Sequence, residues 1–271
     1  MPPETGNRGA ARVARDFATY AGPSLLPAAA TLLALAGVRE GETVADVGCG
    51  AGVLTHPAAA AAGPSGRVFG IDCDERLLAV ARDRRPSPVA WLRADAARLP
   101  VRTASVDKLL CASVLHRVAD VRPVLAEWAR ALAPGGRVAV SAWGAFSASP
   151  HEDALVAALA ERGVDGGAVG RGLALAAAGA ARPASDLPDL LREAGLRVGY
   201  DVAEEVTLPF GGPEPYAHWR LSFPRVADAL GRGAAADGVR AAVVAAVAGA
   251  LGDAPVLVHS RIQYATATTA G

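Results

Sequence analysis

The chain reads as an α/β protein built on a doubly wound, mostly parallel sheet of seven strands with a helical cap. Three observations predict this. From position 43 onward, apolar β-type stretches alternate with helical ones roughly every 20 to 30 residues, the rhythm of parallel strands joined by crossover helices. The stretch Val44–Thr55, V-A-D-V-G-C-G-A-G-V-L-T, packs an apolar strand, an acidic residue and Gly48, Gly50 and Gly52 into twelve positions. Apolar residues are 52% of the 271, enough to bury a sizeable core.

The elements follow in order. Pro27–Ala36 is an apolar helix. The wider stretch Gly22–Val38 is uncharged but short for a membrane span and interrupted by Pro23 and Pro27, so it reads as a buried helix. After the Gly37–Gly41 turn comes the strand Thr43–Val47, then the glycine loop. A helix runs from Val53 to Ala62 and ends at Gly63-Pro64-Ser65-Gly66. Strand Arg67–Ile71 ends at Asp72. The segment Glu75–Asp83 carries a helical apolar stripe at Leu77, Leu78 and Ala81. Val89–Leu92 is a short strand ending near Asp95, and Asp107–Ala112 is a buried one. Asp120 can cap a helix that runs to Leu132 and stops at Pro134-Gly135-Gly136. Arg137–Trp143 is the next strand.

Beyond Trp143 the rhythm changes. Gly144–Arg182 is Ala/Gly-rich and helical in parts, and the helix Leu187–Ala194 resumes the alternation. Two β stretches, Leu196–Pro209 and Val256–Ala267, enclose a largely helical insert, Pro213–Ala254. They read as a hairpin-like sheet edge whose link has grown into a cap. The tracts Gly163–Gly172 and Gly231–Gly238 read as loops over the site.

Lys and Arg number 27, as do Asp and Glu, so net charge gives no case for a nucleic-acid or membrane surface. Cys49, Cys73 and Cys111 stand singly, without zinc-ligand spacing or a disulfide framework, which suits a reducing, cytoplasmic setting and predicts no metal. Met1–Arg15 lacks the apolar core of a signal peptide.

The glycine loop narrows the ligand. Glycine at alternate positions lets the backbone turn out of a strand and lie close to a bound molecule, and the following helix start presents amide groups. Two cofactor classes compete for such a loop. The dinucleotide fingerprint G-x-G-x-x-G, counted from Gly48, puts its third glycine at Val53. Here the third glycine is Gly52, and Asp46 precedes the loop inside the strand, which makes the NAD reading the weaker one.

The spacing resembles the class I S-adenosylmethionine-dependent methyltransferases, within them the small-molecule branch typified by ubiquinone/menaquinone-biosynthesis enzymes (methyltransferase type 11). The resemblance also rests on Gly70-Ile71-Asp72, on Arg93-Ala94-Asp95-Ala96 with Leu99-Pro100, on Ser105-Val106-Asp107 leading into Leu109–Ser113, on Leu115-His116, and on Leu132–Arg137. It covers Gly37–Trp143, with a fainter match at Leu187–Leu196. It implies a Rossmann-like sheet and three regions: 1–36 as an N-terminal helical lid segment, 37–143 as the cofactor-binding core, and 144–271 as the remaining strands with cap inserts at about 144–182 and 213–254.

The resemblance also implies roles. Backbone amides of Gly48, Cys49, Gly50 and Gly52 would lie against the methionine part of S-adenosylmethionine, with Asp46 facing its ammonium group, directly or through water. Asp72 would accept both ribose hydroxyls, and Asp95 with the Ala96 N–H would hold adenine, although Asp95 also suits a helix cap. Cys73, Ala112 and Tyr20 are further cofactor positions. His116 could act as a base toward a phenol or hydroxyl, or only pack. Phe17 and Tyr20 lie in a segment that closes over the site in similar proteins, or pack as ordinary helix residues. Trp143, His151, Tyr216 and Trp219 are candidates for the substrate pocket. Ser149-Pro150-His151-Glu152 also reads as a capping box, and Tyr216, His218 and Trp219 also suit core packing.

The expected activity is methyl transfer to a small, secondary-metabolite-type acceptor, most readily at oxygen, with S-adenosylhomocysteine as product and the chain a monomer or homodimer. The alternative is a cyclase of the same fold that holds the cofactor without spending its methyl group.

Overall fold

Runs of apolar residues become parallel strands where helices can cover both faces of the sheet. The computed structural model describes residues 5–84, 88–118, 120–144, 149–164, 183–231, 234–252 and 254–270. Its strands are β1 (Thr43–Val47), β2 (Arg67–Asp72), β3 (Val89–Arg93), β4 (Val106–Ala112), β5 (Leu132–Trp143), β6 (Arg197–Phe210) and β7 (Val256–Thr268). They form one seven-stranded sheet in the order β3-β2-β1-β4-β5-β7-β6. The first five pair in parallel, and β7 runs antiparallel to β5. The expected doubly wound, mostly parallel sheet is therefore present.

The helices are α1 (Thr5–Asp16), α2 (Gly22–Ala36), α3 (Thr55–Ala62), α4 (Glu75–Arg84), α5 (Arg122–Ala131), α6 (Pro150–Ala160), α7 (Pro183–Glu193), α8 (Pro213–Ser222), α9 (Pro224–Ala229) and α10 (Ala234–Leu251). A five-residue π turn, Phe17–Ala21, joins α1 to α2, and a 3-10 turn, Leu115–Arg117, follows β4.

Strand alternation sorts side chains onto two faces. Ala45, Val47, Ile71, Leu109, Cys111, Val138 and Val140 share a buried core with Leu125 and Trp128 of α5 and Leu187, Leu190 and Leu191 of α7. Asp46 points to the other face, where Thr55 at the start of α3 meets it.

Several boundaries differ from the sequence expectation. Helix α3 starts at Thr55 rather than Val53, because residues 51–54 complete a turn. Helix α2 starts at Gly22 with Pro27 inside it, and it is not buried throughout. Its buried residues are Gly22, Ala28, Ala29, Leu32 and Ala36, while Leu26 is 53% exposed. With the π turn and the end of α1 it makes a helix, Ala11–Ala36, long and apolar enough by length and composition to cross a membrane. Helix α10 takes up Gly238, so the expected loop Gly231–Gly238 ends by Ala234. Of Gly163–Gly172, residues 165–172 lie outside the described residues.

The chain divides into two compact units. One comprises Met1–Ser24, Ala145–Ala178 and Glu205–Ser260; the other comprises Leu25–Gly144, Gly179–Glu204 and Arg261–Gly271. The first is dominated by α1, α6, α8, α9 and α10. The second contains β1 to β5 whole.

Candidate functional site

In the second unit the strand register aligns the C-terminal strand ends. Arg93 pairs with Asp72, and Ala112 pairs with Ser141. One step back, Trp91, Gly70, Asp46, Leu110 and Ala139 form a single cross-strand row. The chain leaves β1 toward β2 on one side, and β4 pairs with β1 on the other. The carboxyl ends of β1 and β4 thus form a topological switch point, where open α/β sheets take their ligands.

The loop after β1 has Gly48, Gly50 and Gly52 at φ +73°, +55° and +80°, a region that residues with a Cβ avoid. Its amides are engaged within the protein. Those of Gly48 and Cys49 donate to the Ile71 carbonyl at 2.7 and 3.1 Å, that of Gly52 to the Cys49 carbonyl at 2.9 Å, and that of Gly50 to Asp72 Oδ2 at 2.8 Å. The sequence placed these amides against a cofactor; in the structure each of the four N–H groups also has a partner within the protein. The glycines serve shape and close approach. A Cβ on Gly48 would sit 2.3 Å from Val114 Cγ2, and one on Gly70 would sit 2.4 Å from the Trp91 ring. Trp91 also lies 2.9 Å from a Cβ on Gly52 and packs edge-on against His56, ring centroids 5.4 Å apart. Sequence reading missed Trp91, and the signal was its register opposite Gly70.

Asp46 is 1% exposed and accepts the Thr55 hydroxyl at 2.5 Å; burial pushes its carboxyl up to about 7. Asp72 accepts the Gly50 N–H on one oxygen and the Asp74 N–H on the other, both at 2.8 Å. Burial pushes its carboxyl up against the lowering effect of those two bonds. Asp95 is exposed, and its Oδ1 accepts the Ala97 N–H at 2.8 Å; Ala96 lies beside it, half-buried. Cys73 is exposed, just past the end of β2. Cys49 is buried, and burial raises its thiol well above the ordinary range, which leaves it unreactive.

Ala112 ends β4, and Ser113 after it adopts φ +60°, a strained backbone for a serine. The Trp143 indole N–H donates to Ser113 Oγ at 2.7 Å, and the Ser113 N–H donates to the Ser141 carbonyl at 3.0 Å. Trp143 thus braces the end of β4 in addition to being a candidate pocket residue. The Ser141 hydroxyl is fully buried in the row of Ala112, with no partner among the described residues. Ser113 and Ser141 were not singled out in the sequence, since their place depends on register and φ. His116 falls in the 3-10 turn; its side chain lies outside the described residues.

The first unit gathers the remaining candidates. His151 packs edge-on to Tyr216 at 5.8 Å, and Tyr216 lies 6.0 Å from Trp219. Phe210 touches both, at 5.8 and 5.0 Å. Phe223 links Trp219 to Phe17 at 5.4 and 5.7 Å. Tyr20 stacks on His218 at 4.7 Å. Ser149 caps α6 as its sequence suggests, accepting the Glu152 N–H at 3.2 Å. The Glu152 side chain is otherwise engaged: it accepts the Tyr216 hydroxyl at 2.6 Å and Arg220 Nε at 2.7 Å, with a further close bond from Arg220 Nη2. Arg220, Phe210 and Phe223 were not anticipated, because their partners lie far away in sequence.

Residues 45–140 match a family described as a methyltransferase domain, about a third of the chain. Among curated relatives, 2-phytyl-1,4-naphtoquinone methyltransferase of Synechocystis is 35% identical over 109 residues, 38% of this chain and 46% of that protein. Demethylmenaquinone methyltransferase of Staphylococcus aureus is 38% identical over 104 residues, 38% of this chain and 43% of that protein. The chain spans less than half the length of these relatives. Among solved structures, the [4+2]-cyclase SpnF matches over 91% of this chain and 82% of its own, with a TM-score of 0.56 at 19% identity, a likeness of fold.

Proposed function

We propose that this chain, whose residues 45–140 match a methyltransferase domain, transfers a methyl group from S-adenosylmethionine to a small-molecule acceptor, most readily at oxygen. The observation that carries the reading is the Asp72 carboxylate at the end of β2, bonded to the glycine loop that leaves β1. Among the described residues each of its oxygens accepts one N–H, which leaves each a lone pair for a ribose hydroxyl. The glycines held against Val114 and Trp91 keep Cβ atoms out of the loop, and exposed Asp95 beside Ala96 suits the adenine amino group. The residues fit the cofactor.

When bound, S-adenosylmethionine supplies a methyl group already activated on a sulfonium centre. The chain's own residues then mainly orient an acceptor and exclude water. Burial pushes the Asp46 carboxyl up to about 7, and an ammonium group bound beside the loop would favour its ionised form. His116 is the candidate to take the acceptor's proton, which His116→Ala tests by lowering turnover far more than cofactor affinity. Relatives named as naphtoquinone and demethylmenaquinone methyltransferases, and a net charge of zero, support a neutral, largely apolar acceptor. The three free, scattered cysteines support a cytoplasmic setting.

The decisive test incubates the protein with methyl-labelled S-adenosylmethionine and an extract of the source cells. Label in a small organic product is expected; a product formed with the cofactor unspent would favour the cyclase alternative. Asp72→Ala should weaken S-adenosylhomocysteine binding by about 1.5–3 kcal/mol, the worth of hydrogen bonds to a charged group. Undiminished affinity in a titration of that variant would overturn the site.

A further inference from the structure

Arg220 is 2% exposed, yet its Nη1 has no hydrogen-bond partner among the described residues. The rest of the guanidinium is engaged. Nε and Nη2 hold the two oxygens of Glu152, and the group lies 5.8 Å from the centre of the Trp219 ring. Burying N–H donors without an acceptor is costly, so a site that keeps them is shaped for an oxygen from outside the chain. Solvent reaches the cluster from the Glu152 side, whose side chain is 26% exposed.

The charges around Nη1 say what kind of oxygen. Burial pushes Glu152 up, but the Arg220 bonds and charge bring it below the ordinary range, so it is ionised and balances Arg220. Burial, together with Glu152, pushes the Tyr216 hydroxyl well up, so it stays a neutral donor to the same carboxylate. The cluster is therefore neutral. A carboxylate arriving at Nη1 would bring a second negative charge beside Glu152 with no cation left to meet it. A neutral oxygen would not. The surroundings of the cluster are rings: Tyr216 and Trp219 with Phe210 and His151 against them, which suit a flat aromatic body.

We propose that Arg220 Nη1 is the recognition donor for a neutral keto oxygen on an aromatic small molecule, bound within the helical unit between Glu152 and Trp219. The proposal rests on the reading of this chain as one that takes a small-molecule acceptor, and it names the chemistry of that acceptor.

The test titrates the full chain calorimetrically with three probes: 1-tetralone; tetralin, the same frame without the oxygen; and 1-naphthoate, a related frame with a carboxylate. Tetralone should bind about tenfold tighter than tetralin, the worth of one well-placed hydrogen bond, and 1-naphthoate should bind more weakly than tetralone. Arg220→Lys keeps a cation opposite Glu152 but has no Nη1. It should reduce tetralone to the tetralin level and leave tetralin unchanged. Equal binding of tetralone and tetralin by the unaltered protein, tightest binding of 1-naphthoate, or no binding of tetralone would overturn the proposal, and the comparison among probes needs no variant to fold. A parallel titration of the unaltered protein with S-adenosylhomocysteine separates the two readings. Ketone binding without cofactor binding would sink the methyltransferase reading alone, and the reverse would sink this proposal alone.

Discussion

Burial of the Asp46 carboxyl group beside Thr55 makes the stability of the protein sensitive to pH through this single residue. The folded chain holds that proton up to about pH 7, whereas an unfolded aspartate releases it near 3.8. Between those values the folded state binds more protons than the unfolded one, so the contribution of Asp46 to stability falls as pH rises through the window and levels off above it. Asp46→Asn removes the titration. Urea midpoints measured from about pH 5 to 8 should therefore shift in favour of the variant as pH rises toward 7. A gap that stays constant across the series would show that Asp46 keeps an ordinary proton affinity. The sequence displayed this residue clearly, as the acidic position ahead of alternating glycines. It could not display the Thr55 hydroxyl that holds it, because that contact depends on where α3 starts, and the start moved from Val53 to Thr55.

Among elements, the glycine loop and the strands around it were legible because their signals are local: a run of apolar residues, then glycines, which take positive φ without strain. What fixes the loop is less local. Gly70 of β2 sits opposite Trp91 of β3, and the indole fills the space that a side chain at Gly70 or Gly52 would need. Gly70→Ala should therefore destabilise the protein by about 1–3 kcal/mol through overpacking against a rigid ring. Trp91→Leu in the same chain should recover part of that loss, giving a coupling of at least about 0.5 kcal/mol in a urea-melt cycle. Strict additivity of the two substitutions would mean that the ring is not what Gly70 accommodates. Helix α2 shows the opposite limit of local reading. Sequence reading began the apolar helix at Pro27, yet the chain enters it from the π turn Phe17–Ala21 and continues through Pro27, with Gly22, Ala28, Ala29, Leu32 and Ala36 its buried residues.

For the whole molecule, legibility divides along the two compact units. The sheet unit repeats a strand–helix rhythm that composition alone can mark, whereas the helical unit is held by contacts such as Glu152 to Arg220, 68 residues apart on two Ala-rich or aromatic helices. The same division predicts how stability is distributed. Glu152→Gln leaves Arg220 buried without a counter-charge, a change expected to cost about 3 kcal/mol, near the lower end for a buried pair because Glu152 is partly open to solvent. Replacing both residues, Glu152→Gln with Arg220→Met, removes the stranded charge and should cost much less. The loss should also be local, since free energies of opening differ between cooperative units of one chain. In hydrogen exchange, amides of α6, α8 and α10 should lose protection in the single variant while those of β1, β2 and β4 keep theirs. Protection lost equally from both sets would show that the two units unfold as one, and that the Glu152–Arg220 pair supports the cofactor sheet as much as the helices that carry it.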